Sequence, residues 1–371
     1  MTEWERHEHY MKMAINFARR GTGNVSPNPK LGCVLVDDRV EGGRMVSWGY
    51  HRRFGGPHAE VEALKKAGKD ARGCTAYVNL EPCCHVGKTP PCTDALIEAG
   101  VSSVVIGMKD PNPLVNGGGE KALRDAGIRV VTGVLEEECR WLNRGFIRNM
   151  TIGRPWVTVK ASVSKEGKMI LKSDGNGFGC SAFSCDGARL MGSESDALMV
   201  GLDTVLQDDP RLAERSVEGR SFLKVIVDRD LKTPEDSRVL DLGKCVFFTG
   251  PSPNEDKIRT LTLRGARVIR QKRPVSDLIP MEELLGELAE MGVNHLMVEG
   301  GSRILSSFIH SRAIDEYSLF VAPKVLGEGL CFSERIEFSH MGEAIPMKRV
   351  RLCRLGDDIW FDGVPVEALD L

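Results

Sequence analysis

Short apolar runs alternate with stretches of helical spacing along most of this chain, and the alternation starts afresh once. Residues 4–20 place Met11, Ala14, Ile15 and Ala18 at helical spacing. Two apolar strands, 31–37 and 44–50, can pair across the glycine-rich turn 41–43. A helix (58–67), a strand (74–79), a loop through Cys92, a helix (92–99), a strand (102–107), a helix (117–126) and a strand (128–132) follow. Segment 133–155 is charged and partly helical in pattern. Strands are then expected at 156–163, 197–201, 223–228, 244–249, 266–270, 294–299 and 315–321, with helices near 184–194, 279–290 and 302–310. Such alternation predicts layered α/β domains. At 371 residues the chain exceeds what one core serves, so two domains are expected, 1–146 and 147–371. There is no internal repeat and no low-complexity tract.

Charge narrows the partners. A net charge of −2 offers no basic field for nucleic acid, so small molecules held in local pockets are expected. The N-terminus, "MTEWERHEHYMKMAINFARR", is charged from its start and lacks the apolar core of a signal peptide. No apolar run approaches the ~18 residues of a membrane span. A cytoplasmic protein is expected, with its eleven cysteines mostly reduced.

The densest chemistry lies in "PHAEVEALKKAG" and "NLEPCCHVGKTPPC". His58 and Cys92 each stand where a helix begins, and Cys83 follows a strand. Helix N-termini favour thiolate over thiol. One imidazole and two thiolates fill three of zinc's four tetrahedral positions and leave the fourth for water, whose pKa such an ion lowers to about 7. Glu60, close by but off the metal, can carry that water's proton to a ring nitrogen and a leaving amine. His-x-Glu with Pro-Cys…Cys is the signature of zinc nucleobase deaminases, although eight residues rather than two separate Cys83 from Cys92. A redox pair is less natural, because Cys83 and Cys84 are adjacent and cannot easily bridge.

"SPNPKLGCVLV", "GYHRRFGGPHAEV", "LEPCCHVGKTPPC" and "MKDPNPLVNGGG" resemble the bifunctional riboflavin-biosynthesis deaminase–reductase family, from about residue 7 to the end. The resemblance implies a cytidine-deaminase-like α/β/α domain followed by a dihydrofolate-reductase-like α/β domain. It implies that Asn28, His51, His85 and Lys88 line the deaminase pocket. In the second half, "VTVKASVS", "VGLDTVLQDDPRLAER", "VIVDRDLKTP" and "VEGGSRILSS" resemble the reductase, which uses NADPH. By that likeness Ser162, Thr204, Asp208, Arg229 and the run Gly301, Ser302, Arg303, Ile304, Leu305, Ser306 and Ser307 approach the cofactor. Leu212, Arg215 and Glu299 approach the substrate, with Lys160 and Asn176 nearby. Arg229 would answer the 2′-phosphate that separates NADP from NAD.

The chain departs from the family in places. Cys84 stands where serine is usual, and Val86 where histidine is usual. "NGFGC" replaces a Ser-x-Trp-Ile-Thr word, and Gly192 falls where an arginine would be. Either another residue such as Arg189 supplies that charge, or the reductase is weak or altered. The expected reading is zinc-dependent deamination of a diaminopyrimidinone ribosylamine phosphate, then NADPH-dependent reduction of its ribosyl group, in a homo-oligomer. A nucleic-acid base deaminase and a non-catalytic zinc- and nucleotide-binding protein stay open as alternatives.

Overall fold

The computed structural model describes residues 1–85, 90–113, 115–169, 182–212, 222–242, 244–272, 281–327, 331–333, 336 and 338–369. The expected site residues Lys88, Asn176 and Arg215 lie outside them. Two compact units divide after Gly153. The 146/147 division falls inside a helix, Arg144–Ile152, whose end is marked by Gly153 in the left-handed conformation.

The first unit carries five strands, β1 (Gly32–Asp37), β2 (Arg44–Tyr50), β3 (Thr75–Leu80), β4 (Ser103–Met108) and β5 (Arg129–Thr132). Its helices are α1 (Glu3–Ala18), α2 (Ala59–Ala67), α3 (Cys92–Ala99), α4 (Gly118–Asp125), α5 (Glu136–Leu142) and α6 (Arg144–Ile152). The sheet order is β2-β1-β3-β4-β5. β1 pairs antiparallel with β2 and β3, whereas β3, β4 and β5 run parallel. β1, β3 and β4 are buried along their whole lengths, as strands covered on both faces must be. α1 and α5 pack on one face, α2 with α3 and α4 on the other. At Gly32 the backbone of α1 comes so close that a Cβ would lie 2.0 Å from the carbonyl oxygen of Ala14.

The second unit is a nine-stranded sheet. Its strands are β6 (Trp156–Val163), β7 (Ala197–Gly201), β8 (Leu223–Val227), β9 (Cys245–Thr249), β10 (Ala266–Arg270), β11 (His295–Glu299), β12 (Glu316–Val321), β13 (Met347–Leu355) and β14 (Asp358–Pro365). They lie in the order β10-β9-β8-β7-β11-β6-β12-β14-β13. All pairs are parallel except β12–β14 and β14–β13. The helices are α7 (Ala182–Glu194), α8 (Leu202–Asp208), α9 (Glu255–Leu263), α10 (Met281–Glu290) and α11 (Ser302–His310). Alternate residues of the central strands feed two cores. Ala197, Met199 and Val225 join one, and Leu198, Val200 and Ile226 the other.

Four of these elements, α8, α9, β13 and β14, are not expected from the sequence. β13 reads "MKRVRLCRL" and is mostly exposed, so no apolar face announces it.

A buried cation shapes the loop after β8. Lys224 is 1% exposed, and its Nζ donates to the carbonyl oxygens of Val239 (2.7 Å), Asp241 (2.6 Å) and Leu242 (2.7 Å). Lys224→Met leaves those carbonyls without their donor. It is expected to destabilise the protein by about 3 kcal/mol, read from chemical denaturation, because unsatisfied buried polar groups cost ~1–3 kcal/mol each.

Candidate functional site

Three elements of the first unit meet at one point. His58 caps α2 in extended conformation, Cys92 opens α3, and Cys83 follows β3. Nδ1 of His58 lies 3.7 Å from Sγ of Cys83 and 3.4 Å from Sγ of Cys92. The three ligand atoms fall within 4.8 Å of one another. The start of α3 also holds Cys83: the Cys92 N–H donates to its Sγ (3.4 Å), and the Thr93 N–H to its carbonyl oxygen (3.2 Å).

The three groups share their protons unequally. A hydrogen bond from Cys92 holds the Cys83 thiol down to about 4, with His58 adding to the effect. Cys92 moves the opposite way, raised by sharing that bond and by burial. Burial works against charging His58, but the Cys83 thiolate and Glu60 carry it above its ordinary value. Glu60 is 3% exposed, its carboxyl is pushed up by burial, and its Oε2 has no hydrogen-bond partner. A buried carboxylate oxygen without a partner, beside two sulfurs and an imidazole, fits a zinc ion carrying a water.

These residues open on a cavity of about 220 Å³. Asn28, His58, Glu60, Cys83, His85 and Asp110 are among its lining residues. Asn28 and His85 thus share one cavity wall with His58 and Cys83. Nδ1 of His85 is buried without a partner. His51 is not at the cavity wall. It is fully buried behind Asn28, with Nε2 3.0 Å from Asn28 Nδ2 and Nδ1 2.9 Å from the carbonyl oxygen of Pro57. A carbonyl can only accept, so Nδ1 carries the proton and Nε2 accepts from the Asn28 amide. That bond fixes the amide, leaving its oxygen for a ligand donor.

Cys84 is not part of the ligand cluster. Its sulfur lies near Gly118, where a Cβ would stand 2.9 Å from it. This agrees with a thiol that packs a loop.

Several positions went unassigned in the sequence. Asn79 and Asn143 both grip the backbone of Lys30. Asn79 Nδ2 donates to its carbonyl oxygen (2.9 Å), and the Lys30 N–H donates to Asn143 Oδ1 (2.8 Å). They set the segment that carries Asn28. Asp110 and Asn112 line the cavity, and burial raises the Asp110 carboxyl to about 6. The words "DPNP" and "NL" contain these residues, but nothing local in them says which way they face.

In the second unit the expected residues gather at the carboxyl ends of neighbouring parallel strands, where open α/β sheets bind ligands. Lys160 on β6 is opposite Glu299 on β11, and their charged ends lie 3.9 Å apart. Ser162 is buried two residues further along β6. Thr204 and the exposed Asp208 belong to α8, which leaves the end of β7. Gly301 caps α11 without a side-chain bond, and a helix N-terminus is a place where an anion can bind. Arg229 is exposed just after β8. Other expectations need correction. Ile304 and Leu305 pack in the larger core, so their side chains are not ligand groups. Leu212 is fully buried in the other core, beside Val205 and Leu231. Ser306 is buried, and Ser307 Oγ donates to the Arg303 carbonyl (3.0 Å). Gly192 is buried facing Met297, and the exposed Arg189 pairs with Asp186 at 3.7 Å.

The chain matches two family models, the cytidine and deoxycytidylate deaminase zinc-binding region over residues 4–108 and the RibD C-terminal domain over 155–361. It is 37% identical to riboflavin biosynthesis protein RibD of Aquifex aeolicus, covering 95% of this chain and 96% of the relative. For the Escherichia coli K12 protein of that name the identity is 34%, over 95% and 97%. The solved structure of Acinetobacter baumannii RibD, form 1, superposes with a TM-score of 0.87 at 32% identity, covering 98% of this chain and all of that one. A Thermotoga maritima diaminohydroxyphosphoribosylaminopyrimidine deaminase/5-amino-6-(5-phosphoribosylamino)uracil reductase does so at 0.85 and 35%, with the same coverage.

Burial lowers the His51 pKa below its ordinary value. The unfolded chain therefore takes up a proton at this residue more readily than the folded one as pH falls below about 6.5. Stability from neutral His51 is full above that pH and is lost as pH falls through the lower folded value. At pH 7, ¹⁵N NMR should show His51 as the neutral Nδ1–H tautomer; an Nε2–H signal would contradict the Asn28 arrangement.

Proposed function

The chain belongs to the RibD riboflavin-biosynthesis family, and from that premise we propose which residues carry its two reactions. It is a bifunctional enzyme with a zinc-dependent deaminase domain and an NADPH-dependent reductase domain. The substrate of the first reaction is a diaminopyrimidinone bearing a ribosylamine 5′-phosphate. The observation that carries the deaminase reading is the buried, unpartnered Oε2 of Glu60 in the cavity that His58, Cys83 and His85 line.

His58, Cys83 and Cys92 hold the zinc. When bound, the ion supplies an acidified water at its open position. Glu60 takes a proton from the water that attacks the amino-bearing carbon. It passes this proton to the ring nitrogen, then takes the remaining proton from the hydroxyl of the adduct and delivers it to the amine, so that the C–N bond breaks, ammonia leaves and the hydroxyl becomes the carbonyl. Asn28, its amide set by His51, offers its oxygen to an N–H of the ring edge. His85 and Lys88 approach the ribose phosphate.

In the reductase half, NADPH when bound would supply hydride for C1′ of the ribosyl group. Opening of the sugar ring frees the C4′ hydroxyl and leaves C1′ as an imine, and hydride at C1′ with a proton at nitrogen gives the ribitylamine. The N–H groups at the start of α11 take a cofactor phosphate, and Thr204, Asp208 and Ser162 surround the cofactor. Arg229 answers the 2′-phosphate. Lys160 and Glu299, paired across β6 and β11, meet the substrate; Asn176 and Arg215, outside the described residues, are further candidates for the same role. The chain works in the cytoplasm, as a homo-oligomer, without nucleic acid or membrane as partner. No helix among the described residues is long and apolar enough to cross a membrane.

Glu60→Gln should keep its zinc, measured by elemental analysis, while ammonia release falls at least about 100-fold, the scale of a lost general base. Retained deamination in that variant would sink the relay. Arg229→Ala should lower the preference for NADPH over NADH, read as the ratio of kcat/KM values. An unchanged ratio would remove Arg229 from the cofactor site.

A further inference from the structure

Glu81 lies two residues before Cys83, and neither the metal nor the proton relay needs it. Its side chain is 2% exposed. Its Oε2 accepts the N–H groups of Asp110 (3.2 Å) and Gly117 (3.0 Å), and its Oε1 accepts that of Glu120 (3.0 Å). Asp110 begins, and Gly117 ends, the stretch that brings Asp110, Asn112 and Val115 to the cavity wall. One carboxylate therefore closes both ends of that stretch. Gly117 caps α4 with no side chain of its own, so Glu81 stands in for the missing cap and meets the positive end of the helix. The fit is close. At Gly119 a Cβ would lie 2.1 Å from the Pro82 carbonyl oxygen and 3.2 Å from Glu81 Oε1. Within the stretch, the Asn112 N–H donates to Asp110 Oδ1 (2.9 Å), so the placement of Asp110 carries Asn112 with it.

We propose that Glu81 is a positioning residue of the deaminase. It ties Asp110, Gly117 and Glu120 to the chain just before the zinc ligand Cys83, so that Asp110 and Asn112 are held toward the bound pyrimidine. Its three bonds fix these residues to the rest of the domain, whereas the Asx bond and the bonds from the Val115 and Asn116 N–H groups to the Asn112 carbonyl are local to the stretch. The inference rests on the deaminase reading of this cavity.

Glu81→Gln keeps the size of the side chain but has one acceptor oxygen, so an NH₂ group must face at least one of the three N–H donors. In the full-length, zinc-loaded protein, zinc content and NADPH-dependent reduction of the deaminated substrate should match the unmodified chain. KM for the aminopyrimidine should rise about 10-fold, with a smaller change in kcat, as expected when a supporting contact is lost. Glu81→Asp keeps the charge but falls short of the three donors, and should raise KM at least as much. Unchanged KM and kcat in both variants overturn the proposal. Loss of zinc, or a parallel fall in the reductase reaction, overturns it too, since Glu81 would then hold the metal or the fold. Absence of ammonia release from the unmodified chain would overturn the deaminase reading itself, and is told apart by that control.

Discussion

Two thiols and an imidazole brought within 4.8 Å of one another need a cation to share their lone pairs once both sulfurs are thiolates. Zinc meets that need, and the remainder of the first unit can be read as the means of delivering its ligands. β3 must end where α2 and α3 begin. Parallel pairing of β3 with β4 sends the chain back through α3, which places its first residue, Cys92, beside Cys83. The sheet can hold this geometry because both its faces are covered. Gly32 lets α1 settle directly on β1 from behind the site.

Around that point the polar groups are held by partners rather than left to solvent. Asn28 is oriented by His51, which is itself oriented by a backbone carbonyl. The Lys30 backbone is gripped by Asn79 and Asn143. Glu60 and His85 are exceptions. Glu60 Oε2 and His85 Nδ1 are buried and unpaired, a state that costs stability and is tolerated where chemistry uses it. The second unit is organised differently. Its candidate residues come from the ends of β6, β7 and β11 and from the helices that follow. The pair Lys160–Glu299 joins the last residue of β11 to the middle of β6.

The metal ligands and Glu60 were legible because each lies in a short word whose spacing has chemical meaning. Most strands were legible too, since strands buried on both faces read as continuous apolar runs. What escaped falls into two kinds. The strand β13 lies at the sheet edge, mostly exposed, with no buried face to reveal it, and β14 pairs between it and β12. Glu81, Asn79, Asn143 and the partnership of His51 with Asn28 depend on contacts between distant segments, and such contacts leave no local pattern. Conversely, the helix 302–310 suggested a run of cofactor contacts, yet helical geometry turns Ile304 and Leu305 into the core.

The account stands on a metal with two sulfurs, one nitrogen and an open position, with Cys84 outside its shell. X-ray absorption fine structure of the zinc-loaded, full-length protein tests this directly. It should give two sulfur scatterers at about 2.3 Å, one imidazole nitrogen and one further light atom. A third sulfur in the shell would put Cys84 on the metal, close the water position and contradict the reading of the site.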